Sequence, residues 1–86
     1  MEKVLFTHKF HDNCGRRATV CGFFTDEQVR IGTAVCSHKD SFNKRIGRLI
    51  SEGRARKNPD LVLEFSDSEP PGKFFVKQAE KIIKTN

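Results

Sequence analysis

Residues 36–58 read CSHKDSFNKRIGRLISEGRARKN, and how this stretch folds decides the architecture of the whole chain. Ser37 followed by Asp40 has the form of a capping box, with Asp in the place usually held by Glu or Gln. Phe42, Ile46, Leu49 and Ile50 then recur at i, i+4, i+7 and i+8, the spacing of one helical face. The pattern predicts an amphipathic helix from Ser37 to Asn58 that turns this apolar stripe toward a sheet. Gly47 lies beside the stripe, where a missing side chain lets helix and sheet approach closely. Gly53 or the Asn58–Pro59 pair ends the helix.

The rest of that helix is cationic. Lys44, Arg45 and Arg48 project away from the stripe, and Arg54, Arg56 and Lys57 extend the positive field past the last turn. Between Ser37 and Asn58 seven Lys and Arg stand against Asp40 and Glu52, a surplus of five that equals the formal +5 of the 86-residue chain. Glu52 is spaced four residues from Arg48 and from Arg56, which leaves few acids for the remaining cations. Such a surface fits nucleic acid, a nucleotide phosphate or an acidic protein face. It also serves solubility and complements the negative end of a helix. At the predicted helix start, free N–H groups beside His38 and Lys39 form a second phosphate candidate. Asp40 competes for those same donors.

Upstream, VLFTHKFHD alternates, with Val4, Phe6, His8 and Phe10 on one face of a strand. Asn13 to Gly15 is a turn signal. RRATVCGFF and EQVRIGTAVCS read as two further strands joined across Thr25 to Glu27, with Val29, Ile31, Thr33 and Val35 sharing a face. Gly22 and Gly32 inside them mark a bulge or a close approach by another backbone or a ligand. Downstream, LVLEFS (61–66) is a fourth strand and DSEPPG (67–72) a loop. Lys73 to Lys84 forms a second amphipathic helix with Phe75, Ala79, Ile82 and Ile83 inward. The expectation is one α+β domain spanning residues 1–86. It has the order βββαβα, with two helices packed on one face of a mainly antiparallel sheet of about four strands.

Eight Phe with no Trp or Tyr assign most aromatic rings to the core. The consecutive pairs Phe23–Phe24 and Phe74–Phe75 look exposed for so short a chain, which predicts a homodimer or larger assembly. Three Cys, no signal peptide and no apolar run of transmembrane length fit a reduced, cytoplasmic setting away from membranes. His8, His11, Cys14, Cys21, Cys36 and His38 are the metal-ligating types, but no C-x2-C pair exists. His8 and His11 diverge on a regular strand. No metal, cofactor or catalytic residue is therefore expected, and no oxyanion site accompanies a Cys–His pair. Arg16 and Arg17 next to Phe23 and Phe24 have the composition of basic–aromatic sheet surfaces that stack bases.

Within IGTAVCSHKDSFNKRIGRLISEGRA (31–55), Lys39, Asp40, Phe42, Lys44, Gly47, Arg48, Ile50, Gly53 and Arg54 form a pattern. It resembles that of short accessory proteins of tailed bacteriophages. The resemblance covers about a third of the chain, and it implies a protein that acts in the cytoplasm of the host bacterium. Such proteins often counter host machinery or immunity by binding. The expectation is thus a non-catalytic protein that engages nucleic acid, or a nucleic-acid-containing host complex, through its basic helix. A sponge for a small nucleotide signal in an Arg-lined pocket comes second, and an inhibitor docking on an acidic host protein third.

Overall fold

A computed structural model of the chain describes residues 3–36, 43–64 and 70–84. Four strands, β1 (Lys3–His11), β2 (Arg17–Phe24), β3 (Gln28–Val35) and β4 (Leu61–Glu64), form one antiparallel sheet in the order β1-β2-β3-β4. Helix α1 (Lys44–Lys57) connects β3 to β4, and α2 (Pro71–Lys84) follows β4. The fold is α+β with the expected order βββαβα.

The two helices do not share a face. Along β2, Cys21 and Phe23 cluster with Ala55 of α1, whereas Ala18, Val20 and Phe24 cluster with Phe75, Ala79 and Ile83 of α2. Successive strand residues point to opposite sides, so α1 covers one face and α2 the other, in place of the single helical layer expected. The reason lies in β2 itself. Ala18 through Phe24 are all buried, and a strand covered on both sides reads as a continuous apolar run rather than an alternation.

Glycine decides how α1 meets the sheet. A Cβ on Gly32 of β3 would collide with the Ser51 carbonyl oxygen and the Ala55 nitrogen, and one on Gly47 of α1 would strike Thr19 Oγ1. The seam is therefore Gly47, Ser51 and Ala55, at i, i+4 and i+8, pressed onto Thr19 and Gly32. Ser51 and Ala55 are fully buried, and Ser51 Oγ donates to the Gly47 carbonyl at 2.7 Å. This rotation reverses the expected orientation. Ile46, Leu49 and Ile50, predicted to face the sheet, lie on the outside and are 53%, 68% and 45% exposed.

The helix also starts later than expected. Asn43 caps it, its Oδ1 accepting from Arg45 N at 3.0 Å and Ile46 N at 3.2 Å, so the first turn begins at Lys44. Ser37, His38, Lys39, Asp40 and Phe42, on which the earlier start and its phosphate candidate depended, lie outside the described residues. At the other end, Arg30 of β3 donates from Nε to Ala55 O at 2.9 Å and from Nη2 to Arg56 O at 3.0 Å. It thereby satisfies carbonyls that a helix terminus leaves without partners.

The register of β1 against β2 shifts between Thr7 and Phe10. This bulge moves Phe10 off the face of Val4, Phe6 and His8 and onto the α2 side, where it packs with Leu5. It also returns His11, which pairs with Arg17, to the α1 side with His8. Helix α2 buries Phe75, Ala79 and Ile83 as expected and takes Pro71 and Gly72, assigned above to a loop, into its first turn. Phe23 and Phe24 are buried on opposite faces, Phe24 meeting Phe75 edge-on at 6.5 Å, and Phe74 packs against the same core. The Phe pairs that argued for self-association are thus covered by the fold.

Candidate anion-binding surface

The seam between α1 and the sheet positions a cluster of cations around one histidine. His8 of β1 places Nδ1 2.9 Å from Thr19 Oγ1, and Thr19 lies buried beneath Gly47. Because Gly47 presents no side chain, the first turns of α1 sit low over β2. Lys44 and Arg48 are thereby held close enough for their charges to act on His8. Arg17 of β2 adds a third charge and is anchored by its Nε donating to His8 O at 2.9 Å. Burial first, and then the fields of Lys44, Arg48 and Arg17, push the His8 imidazole below its ordinary range. Lys44, Arg48 and Arg17 are all exposed.

The first turn of α1 contains no acid, so its free N–H groups add positive potential at the same end. Among the described residues the side-chain ion pairs are Arg16–Asp12, Arg56–Glu52 and Lys84–Glu80. Lys44, Arg45 and Arg48 join none of them. A surface with three side-chain cations beside a helix whose first turn carries no acid favours polyanions.

The structure divides the expected site residues. Lys44 and Arg48 join Arg17 in the cluster, and Arg45 stands exposed beside it on α1. Arg54 is exposed but anchored to the sheet, its Nη1 donating to Thr33 O at 2.7 Å. Arg56 is held by Glu52 at 2.8 Å and stacks its guanidinium 4.4 Å over the Phe23 ring. Lys57 is exposed at the far end of α1, about 20 Å along the helix from Lys44. Arg16 is tied to Asp12 at 2.8 Å and braces the β1–β2 turn, away from the cluster. Phe23 and Phe24 are buried and offer no stacking face. His38 and Lys39 lie outside the described residues.

Sequence reasoning missed His8 as the centre of this surface and weighed it as a metal-ligating type that diverges from His11. The signal was present in Thr19, the polar residue within the buried run from Ala18 to Phe24. A buried hydroxyl requires a partner, and the antiparallel pairing supplies His8. No disulfide joins Cys14, Cys21 and Cys36, and the Cys21 thiol is pushed up to about 12, mainly by burial with Glu52 adding to it and Arg56 opposing. Among the described residues no three His, Cys, Asp or Glu side chains are grouped to hold a metal ion. No described helix is long and apolar enough to cross a membrane.

The depressed His8 pKa sets a pH dependence. Unfolding returns His8 to about 6.5, so below that pH the unfolded chain binds more protons than the folded one. The stability held by neutral His8 is complete above 6.5 and is lost as pH falls through the lower folded-state value. Asp12 also titrates low. Burial alone would raise it, but hydrogen bonds from Arg16 and Cys14 and the Arg16 charge more than offset that. Its stabilising contribution is lost only below its ordinary 3.8. Thermal denaturation between about pH 7.5 and 5 should therefore show a falling Tm in the wild type and a flatter profile in His8→Gln. Identical profiles would contradict the placement of His8.

No protein-family model matches the chain, and neither does any curated protein or solved structure.

Proposed function

We propose that this protein binds nucleic acid, without catalysing a reaction on it, through the cationic surface that Arg17, Lys44 and Arg48 form around His8. Arg45 extends that surface along α1. The observation that supports the reading is the convergence of these cations at one end of the helix–sheet seam, where Lys44, Arg45 and Arg48 take part in none of the described ion pairs. Nucleic-acid phosphates neutralise Lys44, Arg45 and Arg48 and release bound cations as they dock. Phe23 and Phe24, the base-stacking rings expected beside Arg16 and Arg17, are buried, so the contacts are made to backbone phosphates rather than to bases. In the phage setting that residues 31–55 imply, the ligand belongs to a nucleic-acid-containing complex of the host cytoplasm, which the protein blocks by occupancy.

The test is fluorescence anisotropy of labelled single-stranded and duplex oligonucleotides across a salt series. Wild type should give a steep fall of log affinity with log salt. Lys44→Ala with Arg48→Ala should shallow the slope by about two charges, roughly 0.9 each for duplex. Folding should change little, because exposed charges contribute about 0–1 kcal/mol. A double variant with wild-type affinity and slope would sink the proposal, and a salt-insensitive interaction with mononucleotides alone would replace it with the pocket reading.

A further inference from the structure

The outward face of α1 is apolar where a solvated helix would be polar. Ile46, Leu49 and Ile50 stand together on it with Gly53, around which no atom lies within 4 Å of an added Cβ. The neighbouring edge strand adds to this. Val62 of β4 is 44% exposed and pairs with Arg30, whose guanidinium bonds the last turn of α1. Val62 is therefore on the α1 side of the sheet, while α1 itself lies over β2 and β3. The three α1 side chains and Val62 are the large hydrophobics this side of the fold leaves exposed, and grouped apolar exposure of this kind often marks an interaction site.

Charge decides what covers it. By helical periodicity Arg45 flanks the ridge and Lys57 continues its line one turn beyond Gly53, both exposed and in none of the described ion pairs. The only acid on α1 is Glu52, which Arg56 already holds, against six Lys and Arg. A second copy would bring the same cations to the rim. The ridge alone also falls well short of the about 800 Å² per partner of a standard interface. We propose that the outer face of α1 docks an acidic protein surface with an apolar centre, of the kind an amphipathic helix presents when carboxylates flank its Leu or Ile side chains. Ile46, Leu49 and Ile50 take its apolar stripe, and Arg45 and Lys57 take its acids. Arg45 borders both surfaces; otherwise this face is distinct from the Arg17–Lys44–Arg48 cluster and stands whether or not that cluster binds phosphate.

The probe is a labelled synthetic helix of Leu and Glu in amphipathic register. A scrambled isomer of the same composition serves as a control, and vesicles with anionic phospholipid serve as a second. The amphipathic peptide should bind about tenfold or more tighter than its isomer. Leu49→Ser with Ile46→Ser should remove that preference, leaving Tm and oligonucleotide affinity unchanged. Arg45→Ala with Lys57→Ala should weaken binding and flatten its salt dependence. Equal binding of both peptides, or none at tens of micromolar, overturns the proposal. So does a dimer of the protein alone that Leu49→Ser dissociates, which would make a second copy the occupant. Vesicle binding that the peptide does not displace would assign the face to a lipid surface instead.

Discussion

Gly32→Val should strip α1 from the sheet. The added Cβ meets the Ser51 carbonyl oxygen and the Ala55 nitrogen, both backbone atoms, so no side-chain rotation can relieve the clash. The helix has to lift. Lifting it opens the Gly47–Thr19 contact, draws Ala55 O and Arg56 O away from Arg30, and breaks the bond from Arg54 to Thr33. Overpacking of this kind costs about 3 kcal/mol or more, and in a domain of this size that corresponds to a fall in Tm of at least about 12 °C. Gly53→Ala is the control. It sits in the same helix with open space around it, and removing a helical glycine should raise stability by up to about 1 kcal/mol. Circular dichroism melts of the two variants read the difference directly. A Gly32→Val protein that melts like wild type would mean that α1 does not pack through its small-residue face.

Lys44→Glu combined with Arg48→Glu should abolish oligonucleotide binding while leaving the fold intact. Each charge-assisted contact is worth about 1.5–3 kcal/mol, and reversal adds repulsion, so affinity should drop by about a hundredfold or more. Both side chains are exposed and join no ion pair among the described residues. Tm should therefore shift by no more than a few degrees. Arg54→Glu with Arg56→Glu should behave in the opposite way. Arg54 bonds Thr33 O, and Arg56 covers Phe23 and pairs with Glu52. Their reversal should therefore lower stability more than it lowers binding by the protein that remains folded.

Strands β1 and β3 and helix α2 were legible because each carries one dominant period, and β2 because it is an apolar run bounded by turns. Alternation marked β1 and β3, and Phe75, Ala79 and Ile83 marked the buried side of α2. Helix α1 was legible as a helix but not in its orientation. Periodicity states which residues share a face, not which face meets the sheet, and α1 carries two competing stripes. One is large and apolar, Ile46, Leu49 and Ile50; the other is small, Gly47, Ser51 and Ala55. Burial area favours the first, while close approach to Gly32 and Thr19 requires the second. Gly32, flagged from the sequence as a place of close approach, was the clue that decides between them.

That rotation also explains the difference at the site. Six cations on one helix read as one surface, yet Arg54 reaches a strand 21 residues away and Arg56 lies over a ring on β2. Such cross-element partners leave no local signature. The same holds for the β1 bulge, which sets the faces of Phe10 and His11, and for the pairing that brings Thr19 to His8. Two positions of the phage-like pattern, Gly47 and Arg54, act in this fold as contacts that seat α1 on the sheet.

Chemical-shift mapping tests the central claim most directly. Titrating an oligonucleotide into isotopically labelled protein at low salt should move the resonances of His8, Arg17, Lys44 and Arg48. The His8 ring should titrate at higher pH once bound phosphate offsets its three neighbouring charges. Arg16, Arg54 and Arg56 should stay in place. Shifts centred on Arg54, Arg56 and Lys57, or none anywhere on α1 and β2, would contradict the account.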